Sequence, residues 1–324
     1  AGIPLKDMEF IQYHPTGLPG TGILITEAAR GEGGIIVNNE GHRYLQDYDL
    51  GKPLDIKDPK HPVKKSMELG PRDRLSQAFI KEREKKKTIP GPFGDVVHLD
   101  IRHLGKKKID KKLPFVRELT KNYVGIDPVY EPIPVRPVVH YMMGGIDTNI
   151  DCSTNLPGLF AAGECACVSI NGANRLGSNS LTEILVFGAR AGNAAAGFAN
   201  EHSEIDIKAL EKQRDEEFKR ITMNFLNKDG GSERISTLRK EMHQVMEECV
   251  GIFRSESGLK EASNKIEELK DRFSSVLIED KSLNFNTELT SALELENMID
   301  IAESIIFSAL SRRESRGSHQ RTDF

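Results

Sequence analysis

Four prolines within ten residues, Pro128, Pro132, Pro134 and Pro137 in DPVYEPIPVRP, constrain this 324-residue chain more than any other feature. Each ring fixes φ and removes a backbone donor, and each disfavours helix at the residue before it. Regular helix is therefore excluded, and the stretch reads as an extended crossing between two structural units. The patterning before it is mixed. Residues 74–87 (RLSQAFIKEREKKK) and 111–124 (KKLPFVRELTKNYV) have the spacing of amphipathic helices, and DVVHLD (95–100) alternates as a strand does. The Gly- and Pro-rich opening HPTGLPGTG precedes ILITEAARGEGGIIV, which reads as strand, loop, strand.

After the prolines the character changes. GLFAAGE (158–164) reads as a buried strand ending in a tight turn. The polar loop NGANRLGSN then leads into an apolar, small-residue helix from about Leu181 to Ala199. Strand, loop and long helix in that order predict an α/β layer packed on a sheet or a cofactor. Beyond about residue 230 only helix signals remain. Ile235, Leu238, Met242, Val245 and Cys249 recur at spacings of three and four, as do Leu259, Ala262, Ile266, Leu269 and Phe273. A third helix, from about Asn286 to Arg312, repeats the pattern with Leu289, Leu293, Ala302, Ile306 and Ala309. Three antiparallel helices with short loops make a small bundle whose apolar stripes are core.

Composition narrows the partners. A net charge of -4 leaves no basic excess for a phosphate backbone, so nucleic acid is excluded as a partner. No apolar run is long enough to cross a bilayer, and the opening AGIPLKDMEF lacks the layout of a secretory signal. Cys152, Cys165, Cys167 and Cys249 are too few and too unevenly spaced for a disulfide framework. No second Cys/His pair accompanies Cys165 and Cys167, so no metal site is expected. The lysines at 85–87 and 106–108 read as solvated helix-end and loop charges.

The chemistry is concentrated in QYHPTG (12–17), TEAARGEGG (26–34), HYMMGG (140–145) and NGANRLGSNSLTE (171–183). Each sets a His or Arg in Gly-rich backbone, which lets charged donors approach a small anion without obstruction. Taken singly, each has a bland reading. His14 and His140 could be hydrogen-bonded core histidines, Arg30 and Glu27 an ion pair holding a turn, and Arg72 a local partner of Asp73 at a helix start. Arg175 is harder to explain that way, because a small polar loop offers it little packing, and a carboxylate or phosphate is its natural partner. Ser180, Leu181, Thr182 and Glu183 fit the S-x-x-E capping box, which places a helix N-terminus just after that arginine.

In order and spacing these clusters resemble the flavoprotein subunit family of fumarate reductase and succinate dehydrogenase. MEFIQYHPTGLPGTGILITEAARGEGG, ELGPRDRLSQA, EPIPVRPVVHYMMGGI, GLFAAGEC, NGANRLGSNSL and SRRESRGSHQR all take part, and RLGSNSLTEILVFG and LGPRDR are closest to bacterial fumarate reductase. The resemblance implies an FAD-dependent enzyme that interconverts fumarate and succinate in respiration. His14, Thr26, His140 and Arg175 would hold the substrate carboxylates, with the histidines protonated. Arg72 would be the acid that moves the substrate proton, resupplied through Glu27 and Arg30. Glu164, Asn179, Ser180 and Leu181 would touch the FAD.

The implied fold class is multidomain, α+β and α/β. Residues 8–142 would form a capping domain, 143–227 the C-terminal part of a Rossmann-like FAD-binding domain, and 228–324 a helical three-helix bundle. The implied partners are an iron–sulfur subunit and a membrane quinone-binding anchor, with the protein peripheral on the cytoplasmic side of a bacterial inner membrane. No G-x-G-x-x-G follows a strand near the start, so the dinucleotide-phosphate half of the FAD site is expected to lie outside an internal fragment. Alternatives are an L-aspartate oxidase-type flavoenzyme and a non-catalytic dicarboxylate-binding fragment.

Overall fold

The computed structural model describes residues 2–57, 66–202 and 206–324. The chain divides into two compact units, one of Ile11–Tyr141 with Asn174–Leu176, the other of Ala1–Phe10, Met142–Ala173 and Gly177–Phe324.

The first unit is built on a four-stranded sheet in the order Ile11–Gly17, Ile133–Met142, Val97–Asp100, Ile35–Val37. The last three strands pair antiparallel, with Val97 opposite Val135, Leu99 opposite Ile133 and Ile36 opposite Leu99. This register puts the β-branched and leucine side chains on one face, where they join Leu18, Ile25, Leu75, Phe79 and Val116 in the core. The helix Arg72–Glu84 buries Leu75, Ala78, Phe79 and Glu82, a stripe at helical spacing. Pro114 begins the helix Pro114–Val124, and Gly125, with a left-handed backbone, ends it.

Two expectations change here. The proline-rich stretch is extended as expected, but from Ile133 it is a strand inside this sheet rather than a linker. A ring that forbids helix still permits pairing wherever its missing N–H is not required. The same holds for Pro15, which lies within the strand Ile11–Gly17 in a stretch read only as an irregular opening. Conversely, the first strand expected in ILITEAARGEGGIIV shrinks to a single bridge between Gly17 and Leu24, and a one-turn helix, Ala28–Gly31, occupies the loop.

The second unit carries a small sheet in the order Leu5–Lys6, Gly145–Asp147, Ala166–Cys167. Gly144 and Gly145 are required by close approach. A Cβ on the first would lie 2.3 Å from the Asp7 carbonyl oxygen, and one on the second 2.5 Å from that of Cys165. The strand expected at GLFAAGE does not form. Its backbone is taken locally, with Thr154 N–H donating to the Leu159 carbonyl and Ala161 N–H to the Cys152 carbonyl.

The apolar helix spans Asn179–Glu201, and a polar helix not foreseen in the sequence, Ile207–Ile221, runs into a π-helical turn, Thr222–Leu226. The three later helices are Ile235–Cys249, Glu256–Phe273 and Thr287–Ser311, with Ser255 and Asn286 capping the last two. Their predicted stripes are mostly buried. In the third, Ala292, Leu295 and Ile299 take the core positions expected for Leu289 and Leu293, which are only half-buried. Fully buried Arg254 donates to the carbonyls of Val250, Gly251 and Glu9, so its guanidinium serves as a backbone tie.

Candidate active site

The seven residues predicted for substrate and proton handling lie in the first unit, where strand alternation puts Gln12, His14 and Thr16 on one buried face. His14 Nδ1 accepts the Thr16 N–H at 3.3 Å, so its proton sits on Nε2. Thr16 is itself held by donating its hydroxyl to the Ile25 carbonyl at 2.9 Å. The His140 ring stands edge-on to His14 with centroids 5.3 Å apart. Arg175 Nη2 lies 2.9 Å from His140 Nε2, and since a guanidinium can only donate, Nε2 accepts and the His140 proton sits on Nδ1. The Arg175 guanidinium also stacks on Tyr141, 4.2 Å from the ring centroid.

With no dianion bound, these contacts hold the two histidines unprotonated. Burial, then the charges of Arg30, Arg72 and Arg175 and the second imidazole, hold His14 down to about 2. Burial, then Arg72 and Arg175, hold His140 down to about 4. With three guanidiniums already converging, a further cation is disfavoured, and both imidazoles are neutral at physiological pH.

Arg72 opens its helix, and its local pairing with Asp73 does not occur. Its Nη1 donates to Gln12 Oε1 at 3.0 Å, and its Nη2 and Nε donate to Glu27 Oε2 at 3.2 and 3.4 Å. Glu27 Oε2 also lies 3.5 Å from Arg30 Nη2, so the ion pair of the bland reading exists, but as the middle of a line from Arg72 to Arg30. The Arg30 side chain is fully buried, whereas Glu27 is 43% exposed, so the line opens to solvent at its carboxylate. Burial, partly offset by Glu27, pushes Arg30 down to about 10, which makes it an unusually willing proton donor for an arginine. Thr26 is exposed, and its Oγ1 accepts the Ala28 N–H at 3.3 Å, leaving the hydroxyl hydrogen to donate elsewhere.

Sequence reasoning passed over the residues that fasten this constellation. Gln12 Nε2 donates to the Arg175 carbonyl at 2.6 Å and to Asn174 Oδ1 at 2.8 Å, and Asn174 Nδ2 donates to Asp73 Oδ1 at 2.8 Å. The available signal for Gln12 was its spacing of two from His14.

The four residues predicted to touch FAD lie in the second unit. Glu164 sits in an exposed turn just after Gly163, whose φ is +84°, and its Oε1 accepts the Met142 N–H at 3.0 Å. Asn179, Ser180 and Leu181 form the first turn of the Asn179–Glu201 helix. The predicted capping box is not formed. Ser178 is the N-cap, in the left-handed region at φ +66° without a side-chain cap, so Ser180 is already the second helical residue. The Glu183 carboxylate is buried and accepts from Asn171 at 2.6 Å. Within this helix only Glu183 and Phe187 are buried, while Leu181 is 61% and Leu185 74% exposed. An apolar face preceded by the positive end of a helix dipole fits a flat, partly apolar ring that carries negative charge when reduced.

Among the described residues no cluster of His, Cys, Asp and Glu could hold a metal ion. Cys167 instead donates to Asp7 at 3.4 Å. No described helix is long and apolar enough to cross a membrane.

Comparison with known proteins identifies the family. Residues 1–181 match an FAD binding domain family and residues 239–324 the fumarate reductase flavoprotein C-terminal family. The chain is 58% identical to the fumarate reductase flavoprotein subunit of Mycobacterium tuberculosis, over 100% of its own length and 55% of the relative's. It is 52% identical to that of Escherichia coli, over 99% of its length and 53% of the relative's. A solved quinol-fumarate reductase with menaquinol molecules superposes with a TM-score of 0.94 at 52% identity, covering 99% of this chain and 55% of that one. The chain thus spans about half the length of the curated relatives it matches, and it belongs to the fumarate reductase and succinate dehydrogenase family of flavoprotein subunits.

Proposed function

We propose that the protein carrying this chain interconverts fumarate and succinate. The observation that carries the reading is the convergence, in one unit, of Arg175, Arg72 and two neutral imidazoles beside the Arg72–Glu27–Arg30 line. A dicarboxylate offers acceptors suited to these donors. Arg175, His14, His140 and Thr26 hold its carboxylates, and the preplaced guanidiniums stabilise charge that builds on the carboxylate next to the reacting carbon. Glu164, Asn179, Ser180 and Leu181 contact FAD, which when bound supplies hydride chemistry. Arg72 gives the second alkene carbon its proton, then recovers one from Glu27, which is resupplied by Arg30 and by solvent at its exposed edge. Residues 8–142 act as the capping domain, 143–227 as part of the FAD-binding domain and 228–324 as the helical domain. Electrons pass to and from an iron–sulfur subunit and a quinone-binding membrane anchor, with this subunit peripheral on the cytoplasmic face.

The test is dye-linked turnover of the complete flavoprotein. Fumarate should oxidise a reduced viologen, and L-aspartate should give no imino product. Turnover of aspartate with none of fumarate would replace this reading with an amino-acid oxidase.

The neutral histidines add a second expectation. A bound dianion places negative charge beside His140, whose free-state value of about 4 must then rise. Binding therefore takes up protons, and affinity strengthens as pH falls through the liganded value. Calorimetry of succinate binding at pH 6 in buffers of different ionisation enthalpy should show buffer-dependent heats that shrink by pH 8. Heats independent of buffer at both values would mean that the imidazoles stay neutral throughout.

A further inference from the structure

The proton line assigned above begins at a guanidinium with no exposed surface, and something must keep that guanidinium charged and aimed. Its surroundings are uneven. Facing Arg30 are Glu27 on its own turn, Arg72 at the start of the Arg72–Glu84 helix, His14 on the strand Ile11–Gly17, and Glu68 in the 3-10 turn Met67–Leu69. Glu27 is shared with Arg72, which leaves Glu68 as the further carboxylate in that group.

Glu68 is fully buried and does two separate things. Its backbone carbonyl accepts from Arg30 Nη1, fixing the guanidinium so that Nη2 is the nitrogen beside Glu27. Its carboxylate receives Arg43 Nε and Nη2 on Oε1 at 2.9 and 2.6 Å, while Oε2 has no hydrogen-bond partner although it is buried. Arg43 is anchored in turn by donating to the Leu54 carbonyl. A purely structural ion pair would satisfy both oxygens. A buried carboxylate with one oxygen unsatisfied carries a desolvation cost that other folded interactions must offset.

We propose that Glu68 is a positioning residue for proton delivery: its carbonyl orients Arg30 toward Glu27, and its carboxylate is a buried negative charge that, with Glu27, favours the cationic form of Arg30. This rests on the proton line of the proposed function. The charge of Glu68 acts to raise the proton affinity of Arg30, against burial and against Arg72, so removing it lowers that affinity further.

The experiment is the pH–rate profile of fumarate reduction by the complete flavoprotein carrying Glu68→Gln, which keeps the carbonyl contact and removes the charge. The alkaline limb should move to lower pH by about one unit, a rate loss of roughly tenfold on that side. Turnover at neutral pH should fall less, and Glu68→Asp should return the limb toward its original place. Coincident limbs, or a loss equal at every pH, would overturn the proposal. Should Glu68→Gln fail to fold, Glu68→Asp decides alone: it keeps the carbonyl contact and the charge, so the alkaline limb should stay near its original place, and a limb that moves down by the full unit refutes the idea. Full activity in Arg72→Ala would instead sink the proton line itself, whatever Glu68 does.

Discussion

Arg72→Ala should lower the turnover number for fumarate by roughly 10²- to 10⁴-fold, the usual contribution of a positioned proton donor. KM should change far less. Proton transfer to carbon is an interaction of the transition state, so its loss appears in kcat rather than in ground-state binding. Steady-state oxidation of a reduced dye separates the two constants. Lysine at this position should recover only part of the rate, because one ammonium cannot engage Gln12 Oε1 and the Glu27 carboxylate with the fork that a guanidinium presents. A fall in kcat of less than tenfold in the alanine variant would remove Arg72 from the role of acid.

Arg175→Ala is the complementary case. Loss of a buried guanidinium that meets a carboxylate costs about 2–5 kcal/mol, so dissociation constants for succinate should rise roughly 30-fold to more than 1,000-fold. The same variant carries an internal signature. Arg175 is one of the charges holding His140 down to about 4, and its Nη2 occupies His140 Nε2. Without it, the His140 titration should move up toward the ordinary histidine range, which NMR of the ring carbons would follow. An unmoved titration with weakened binding would mean that burial and Arg72 suffice to depress this imidazole.

How much of this was legible in the sequence varies with the kind of signal. The later helices were readable because three- and four-residue spacing over many turns has no competing explanation. Ile207–Ile221 escaped because its charged residues outnumber its apolar ones and no residue in it is buried. GLFAAGE was misread because a short apolar run fits a strand and a locally bonded loop equally well. Arginines and histidines stood out in the site because their charge needs an explanation. Neutrality did not, since whether an imidazole is protonated depends on how many guanidiniums the fold gathers round it. Gln12, Asn174 and Glu68 went unremarked for a related reason: a polar residue that positions another has no chemistry of its own to advertise.

Gln12 also fixes a length. Its amide oxygen is committed to Arg72, and its amide nitrogen to Asn174 and the Arg175 carbonyl, so rotating the amide by half a turn would set donor against donor and acceptor against acceptor. Only one orientation is tenable, and in it the guanidinium proposed to give up a proton and the main chain of the residue proposed to grip a carboxylate are gauged against a single side chain. The site therefore behaves as a ruler. Refitting it to a longer diacid by shifting Arg175 would drag the Arg72 contact out of register as well, so chain-length selectivity and proton placement cannot be tuned independently while Gln12 remains.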